Sequence, residues 1–309
     1  MKKLLERLKE GEILVADGAM GTMLMKHLEA GECPESVNLT HPEIPEEIAG
    51  LYFDAGADII QANTFGASPL KLSLYSIEHK TEEINRNAVL AVRRVVGNRA
   101  YISASCGPTG RLLKPYGDTE PKDVYNSFER QIKALIDAGV DVICIETMTD
   151  LREATLAIKA AKNISPSLSV MATMTFDSTP RGFYTIMGID IEKAASGLEI
   201  AGADIIGSNC GNGIENMIKI AREFKKCSDL PLIMQPNTGL PKLQGNTPVY
   251  RETPEFMAEK AKELIASGVS IVGGCCGTTP EHIRAIRKMV DSLSIGRRLT
   301  QMNTEKWQN

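Results

Sequence analysis

Three of the seven cysteines are spaced for metal or thiol chemistry: Cys210, and the adjacent pair Cys275-Cys276 that follows 65 residues later. Thiolate sulfur is a soft donor and suits Zn²⁺, which is tetrahedral and leaves one position open when the protein supplies three ligands. Three thiolates on a dication leave the site net negative. That opposes deprotonation of a bound water but suits holding an incoming thiol, whose pKa of about 8.5 falls away on coordination. Two acids, Asp17 and Glu146, each follow an apolar run. They could act as an acid and base pair or receive a cationic ammonium group. No histidine is placed beside either, so amine binding is the more economical reading. Asp17 could instead cap the helix that follows it, whereas Glu146 at the end of so apolar a strand needs a partner. Backbone N–H groups of the turn from Gly18 and Ala19 to Thr22 could take a carboxylate. Asn63, Ser105 and Asn237 could orient the same ligand, and Asn237 is also a candidate for the open zinc position.

Residues so far apart in sequence need a scaffold that gathers them. A pattern recurs at Asp54-Ala-Gly-Ala-Asp-Ile-Ile60, Asp137-Ala-Gly-Val-Asp-Val-Ile143, Ile200-Ala-Gly-Ala-Asp-Ile-Ile206 and Ala266-Ser-Gly-Val-Ser-Ile-Val272. Its glycines, Gly56, Gly139, Gly202 and Gly268, are separated by 83, 63 and 66 residues. Each glycine reads as a helix C-cap and each aliphatic run as a strand buried on both faces, as in a parallel sheet. The spacing is about two βα units, so alternate units carry the signature. Further apolar runs lie between the copies. The predicted strands are 13–17, 58–63, 100–105, 140–146, 169–175, 204–209, 231–236 and 270–274. Intervening stretches such as 154–162 and 255–265 carry apolar residues at three- and four-residue spacing and read as amphipathic helices. Eight alternating units predict an α/β fold, a single (β/α)8 TIM-type barrel over residues 1–290 with its active site at the C-terminal ends of the strands. Residues 291–309 read as a polar C-terminal tail or linker. An open doubly wound sheet is the alternative, but the Gly-rich phosphate fingerprint it often carries is not visible.

The composition agrees. A chain of 309 residues with 43% hydrophobic and 24% charged residues is an ordinary globular one, which excludes a disordered or fibrous chain. No apolar run approaches the ~18 residues of a membrane span. Met1 to Glu10 breaks its apolar run with charges, unlike a signal peptide, so a cytoplasmic setting is expected. A net charge of −4 without a basic block argues against nucleic acid as a partner.

In such a barrel, Cys210 ends strand six and Cys275-Cys276 ends strand eight, with only strand seven between them. Neighbouring residues of a regular strand face opposite sides, so both members of the pair can reach one ion only if the chain turns there. Gly273, Gly274 and Gly277 would permit that turn. Cys106 ends strand three, across the barrel, and is a weaker rival. Cys144 reads as core, and Cys33 and Cys227 as packing or surface residues.

Together these residues resemble the homocysteine S-methyltransferase family. The similarity rests on Asp17-Gly-Ala-Met-Gly-Thr22, Asn63-Thr-Phe65, Gly107-Pro-Thr-Gly110, Glu146-Thr147, Gly207-Ser-Asn-Cys210 and Gly273-Gly-Cys-Cys-Gly-Thr278. It runs from about residue 10 to 290. Within the family, Asp17-Gly-Ala-Met-Gly-Thr-Met-Leu24 and Asn38-Leu-Thr-His-Pro42 are most similar to the N-terminal homocysteine-binding module of cobalamin-dependent methionine synthase. The resemblance implies a zinc ion on Cys210, Cys275 and Cys276, with L-homocysteine as methyl acceptor and methionine as product. It also implies that Asp17 and Glu146 lie around the substrate amino group. The four histidines, His27, His41, His79 and His282, sit in no Asp-x-His-x-x-Gly context. Methylcobalamin is therefore expected only through a partner domain or protein that carries the methylcorrinoid. Two other readings stay open. One is a stand-alone thiol methyltransferase using a betaine or S-methylmethionine, which would want aromatic walls from Phe65, Tyr116 or Phe176. The other is a barrel with a purely structural zinc site, in which His282 would have to supply a fourth ligand.

Overall fold

The computed structural model describes residues 1–29, 31–240, 242–244 and 247–306. Eight parallel strands form a barrel: β1 (Leu14–Val15), β2 (Ile59–Ala62), β3 (Tyr101–Cys106), β4 (Val142–Met148), β5 (Ser169–Met174), β6 (Ile205–Gly213), β7 (Leu232–Asn237) and β8 (Val269–Val272). Each pairs with its sequence neighbours, β8 pairs back to β1, and the ring closes between β1 and β2 through the Ala16–Ile59 bridge. Asp58 N–H to the Val15 carbonyl at 2.7 Å and Asp17 N–H to the Ile59 carbonyl at 3.0 Å complete that seam. Seven lie within one residue or two of the strands read from the sequence, and β6, read as 204–209, runs on to Gly213.

Each strand is followed by a helix of the outer layer: α1 (Glu43–Asp54), α2 (Thr81–Val96), α3 (Pro121–Asp137), α4 (Leu151–Ile164), α5 (Ile191–Ala201), α6 (Ile214–Cys227), α7 (Pro254–Ala266) and α8 (Pro280–Lys306). The stretch read as a tail after residue 290 continues α8 as far as Lys306, and Trp307 lies outside the described residues. Two antiparallel hairpins, Asp177–Thr179 with Gly182–Tyr184 and Lys242–Gln244 with Thr247–Val249, follow β5 and β7 at the mouth. The sequence reading did not resolve them.

The alternation of the strands makes two apolar layers. Leu14, Ile59, Tyr101, Val142, Cys144, Met171, Ile205, Ile233 and Ile271 fill the lumen, and Leu4 and Leu8 of the helix Leu4–Lys9 pack against them. The opposite faces of the strands pack on the helices, where residues such as Ala154, Ala157, Ala160 and Ala161 of α4 allow close approach. Fully burying one large aliphatic side chain is worth about 1.5–3 kcal/mol, so this two-sided burial dominates the stability.

The recurring glycine motif has a physical role at the end of the barrel away from the mouth. Gly56, Gly139, Gly202 and Gly268 all have positive φ (+94°, +88°, +105° and +91°) at or just past a helix end. Two residues on, the motif's aspartate reaches across to the preceding strand. Asp58 accepts the Val15 N–H at 2.9 Å, Asp141 the Ile102 N–H at 2.9 Å and Asp204 the Val170 N–H at 2.8 Å. Each is also ion-paired: Asp58 with Arg7 and Arg287, Asp141 with Arg93, and Asp204 with Lys162. The motif therefore ties β2 to β1, β4 to β3 and β6 to β5. The fourth copy has Ser270 in place of the acid.

Candidate active site

Polar side chains collect where the strands end. The first group is the three thiols. Gly207 lets β6 lie hard against β7, since a Cβ there would fall 1.8 Å from the Ile233 carbonyl oxygen. Beyond it, β6 loses register with β7 between Cys210 and Gly213. Cys210 itself is left-handed at φ +62°, followed by Gly211 at +67°. This bulge re-aims a side chain at the rim. After β8 the chain turns through Cys275–Thr278, closed by Thr278 N–H to the Cys275 carbonyl at 3.1 Å, with Gly277 at φ +81°. Cys275 N–H is held by the Pro236 carbonyl at 2.9 Å, and the Cys276 carbonyl accepts the Thr238 N–H at 3.1 Å. The turn anticipated from the glycines is present, and Gly277 supplies its positive φ. The ligand atoms of Cys210, Cys275 and Cys276 lie within 4.8 Å of one another.

The donor set fits a soft metal ion. The thiols of Cys275 and Cys276 donate toward Cys210 and hold its pKa far below the ordinary thiol range, while Cys275 and Cys276 are pushed up in return. A cluster that already stabilises one thiolate is poised to give up its remaining protons to a cation. Asn237 stands beside Cys210: its Nδ2 donates to the Gly211 carbonyl at 2.9 Å, and its buried Oδ1 has no hydrogen-bond partner. Among the described residues no fourth histidine, cysteine or acid joins the three thiols. His282 is spent elsewhere, with Nε2 at 2.9 Å from the Glu252 carbonyl and Nδ1 at 3.2 Å from the Thr279 nitrogen.

The second group is the acids. Glu146 lines a cavity of about 280 Å³ that the three cysteines also line, together with Gly18, Ala19, Asn63 and Ser105. Its Oε1 accepts from Ser105 Oγ and, at 3.0 Å, from Gln61 Nε2. Burial pushes its carboxyl up to about 7. Asp17 lies just behind the cavity wall, 1% exposed, and its Oδ2 accepts the Gln61 N–H at 2.7 Å. Burial, opposed by that hydrogen bond and reinforced by Glu146, raises it to about 8. It does not cap the helix Met20–Leu24. Among the described residues, no lysine, arginine or histidine lines the cavity, and a second buried acid, Glu35, lines it while accepting the Gly66 N–H at 2.6 Å. Two buried acids and three thiols thus line the pocket, with Asp17 behind its wall, and no described cationic side chain in the lining balances them.

The other sequence candidates are also placed. The Gly18–Thr22 turn forms part of the cavity wall, with Ala19 N–H already given to the Thr278 carbonyl at 3.1 Å. Asn63 uses its amide on the Pro34 carbonyl at 2.9 Å and on Asn38 Oδ1 at 3.1 Å, tethering the 33–36 segment over the mouth. Cys106 faces away from the lumen into the helix-facing core, because its neighbour Ser105 faces in. Cys33 is buried and donates to Glu35 at 3.3 Å, and Cys227 is exposed. Sequence reasoning missed Gln61, Thr147 and Asn209. Asn209 lies inside the Gly207-Ser-Asn-Cys210 motif that was read for its cysteine alone.

The comparison with known proteins decides the family. A family model described as homocysteine S-methyltransferase matches residues 14–290. The chain belongs to the homocysteine S-methyltransferase family. Similar relatives are the methionine synthases of Mycobacterium leprae (strain TN), 33% identical over 93% of this chain, and of Mycobacterium tuberculosis (strain ATCC 25618 / H37Rv), 32% identical over 91%. This chain spans about a quarter of the length of those relatives, 25% in each case. Among solved structures, the metallated form of the homocysteine methyltransferase MmuM from Escherichia coli superposes with a TM-score of 0.77 at 21% identity, covering 92% of this chain and 99% of that one. At that identity the likeness speaks for the fold, which is the TIM-type barrel expected from the sequence. Family membership also explains why the matched region takes in all eight barrel strands. Among the described residues, no helix is long and apolar enough to cross a membrane.

Proposed function

We propose that this member of the family transfers a methyl group to the sulfur of L-homocysteine, giving methionine, with one Zn²⁺ held by Cys210, Cys275 and Cys276. The observation that carries the reading is the cavity itself, lined by three convergent thiols and by the buried acid Glu146, with no cationic side chain among the described residues of its lining. Bound there, zinc would supply a Lewis acid that stabilises a substrate thiol as its thiolate.

The chain's own residues do the rest. Glu146 receives the ammonium group, fixed in direction by Ser105 and Gln61. Asp17, behind Gln61, adds negative potential where it ionises, from about pH 8 upward. Gly18 and Ala19 form the wall against which the carboxylate lies. Asn237, with its unpartnered Oδ1 beside Cys210, would supply a fourth donor to the metal when substrate is absent. The substrate would give up its thiol proton to solvent as it binds, before the site closes around it. The sulfur lone pair then forms the new S–C bond as the methyl–donor bond breaks, its electrons leaving with the donor. Positioning and exclusion of water, rather than a general base, supply the catalysis.

For the donor we propose a methylcorrinoid carried by another domain or protein. Methionine synthases about four times as long as this chain support that reading, and so does the poverty of aromatic walls. Of the three aromatics read from the sequence, only Phe65 lines the cavity. Tyr116 stands 72% exposed beside Arg152, and Phe176 is in the core against Phe224. Among the described residues Phe65 is the one aromatic in the cavity lining, while Tyr250 stands beside Cys276 outside that lining.

The test is direct. Zinc-loaded protein is mixed with homocysteine and, separately, methylcobalamin, S-methylmethionine and betaine, and methionine is measured. Methionine from methylcobalamin is expected. Methionine from an onium donor alone overturns the corrinoid reading. A protein that folds but takes up no zinc overturns the metal site.

A further inference from the structure

The metal end and the amine end of the cavity are joined by one buried carboxamide. Asn209, 1% exposed, lies in β6 directly before Cys210. Its Oδ1 accepts from the Thr147 N–H at 2.8 Å and from Thr173 Oγ1 at 2.7 Å. With two donors fixed on the oxygen, the NH₂ must face the other way, so the orientation of the amide is determined. The Thr147 bond also secures a backbone held at φ +60° in a β-branched residue, which persists only when its surroundings impose it. The NH₂ group faces three acceptors: Thr147 Oγ1 at 2.7 Å, Glu146 Oε2 at 3.4 Å and Cys275 Sγ at 3.8 Å. It has two hydrogens to share among them.

We infer that Asn209 is a positioning residue that couples recognition of the substrate amine at Glu146 to the charge on the metal ligand Cys275. The inference rests on the proposed zinc and homocysteine site. Its physical basis is competition for the amide hydrogens. When an ammonium group occupies Glu146 Oε2, that oxygen gains a stronger, charged donor, and the hydrogen it shared turns to Cys275. An N–H donated to a thiolate ligand draws charge from the sulfur and tunes the metal through its outer shell. A metal with less charge pressed on it by its own ligands holds an added thiolate more firmly. An amine-bearing thiol thus strengthens the sulfur–metal contact in a way that a thiol lacking the amine does not. A purely structural Asn209 would hold the rim together without distinguishing the two thiols.

The experiment uses the whole chain and measures zinc affinity by competition with a chromophoric chelator. Three conditions are compared: no thiol, saturating homocysteine, and saturating 4-mercaptobutyrate, which is homocysteine without its amine. At saturation the gain in zinc affinity equals the ratio of the thiol's affinities for zinc-loaded and zinc-free protein. The amine's own binding energy drops out of that ratio, leaving only coupling between amine site and metal, carried by the substrate's tether or by the protein, and the Asn209 variants separate the two. The expected gain is about 5- to 10-fold larger with homocysteine than with 4-mercaptobutyrate, at the lower end of ordinary coupling. In Asn209→Leu, which keeps the volume and removes the amide, the excess falls to about one while zinc still binds. Asn209→Ser serves where the leucine variant does not fold. Equal gains from the two thiols in the unmutated protein overturn the inference, and so does an undiminished excess in either folded variant. If neither thiol raises zinc affinity at all, the thiol-on-metal reading fails and takes this inference with it. Failure of the coupling alone leaves that reading standing.

Discussion

Asp17 presents a test in which stability and binding move in opposite directions. Its carboxyl is buried without a cation, and its folded value of about 8 stands well above the ordinary 3.8. Between those limits the folded protein holds a proton that the unfolded chain has released. The group's stabilising contribution is thus complete below about pH 4 and is lost as pH rises to about 8. At about 1.36 kcal/mol for each pH unit above the unfolded value, the cost at pH 7 is at most about 4 kcal/mol. Relaxation and water entry reduce it, and about 2 kcal/mol is a fair working figure. Asp17→Asn keeps an oxygen for the Gln61 N–H but cannot ionise. In metal-free, substrate-free protein it should raise the melting temperature by about 4 °C at pH 8, at about 2 °C per kcal/mol for a chain of this size, and by little at pH 5. The same substitution should weaken homocysteine binding to the zinc-loaded protein about tenfold or more at pH 8 and above, where Asp17 ionises behind the ammonium site, and change it little at pH 5. Calorimetric scans at pH 5 and 8, with a binding titration on the same preparations, measure both effects. A pH-independent loss of stability would show that Asp17 serves only to anchor Gln61. Unchanged homocysteine affinity would remove it from the amine site.

Further perturbations separate the metal site from the scaffold. Cys275→Ser should abolish zinc retention and methionine formation together while the fold persists, as read by metal analysis and circular dichroism; full zinc content in that variant would sink the ligand assignment. Gly277→Ala places a Cβ 2.2 Å from Thr238 Oγ1 and 2.3 Å from the Tyr250 ring, at φ +81°. It should cost about 1–3 kcal/mol of stability and lower zinc affinity more than Gly21→Ala, whose Cβ meets nothing within 4 Å. Asp204→Ala at the far end of the barrel leaves the Val170 N–H without its partner and Lys162 with the Leu168 carbonyl but no counter-ion there. It should lower stability by about 1–3 kcal/mol with homocysteine affinity within twofold, checked by denaturant titration and calorimetric binding. Tyr116→Ala should leave methyl transfer unchanged, since Tyr116 stands outside the cavity.

Much of this was legible in the chain because parallel strands buried on both faces leave an aliphatic signature with no competing pattern. The four glycine copies fixed the period, and the strand ends followed. Cys210, Cys275 and Cys276 were legible for the same reason: cysteines at barrel rims separated by one strand have to be neighbours. Four things were not legible. The bulge at Cys210 depends on a left-handed non-glycine residue, and no propensity announces that. Asp17 could be read as an acid at a strand end, but its retreat behind Gln61 depends on a backbone N–H from another strand. Asn209 and Gln61 are ordinary polar residues until the lumen closes around them. The two hairpins at the mouth lie in loop stretches whose pairing is too short to mark the sequence.

The motif that revealed the barrel also bears on its chemistry. Asp58, Asp141 and Asp204 each grip the strand before them by a backbone N–H, and they do so on β2, β4 and β6. Those same strands deliver Gln61, Glu146 and Asn209-Cys210 at the opposite end. Side chains of a strand alternate between lumen and helix layer, so a slip of one residue exchanges every one of them. In β4 such a slip would replace Glu146 by Ile145 or Thr147, and in β6 it would replace Asn209 by Ser208 or Cys210. The aspartates stand a strand's length from the cavity and touch nothing in it. By pinning register they nonetheless select which side chains enter it, so the face that provides stability also decides which residues the reactive face presents.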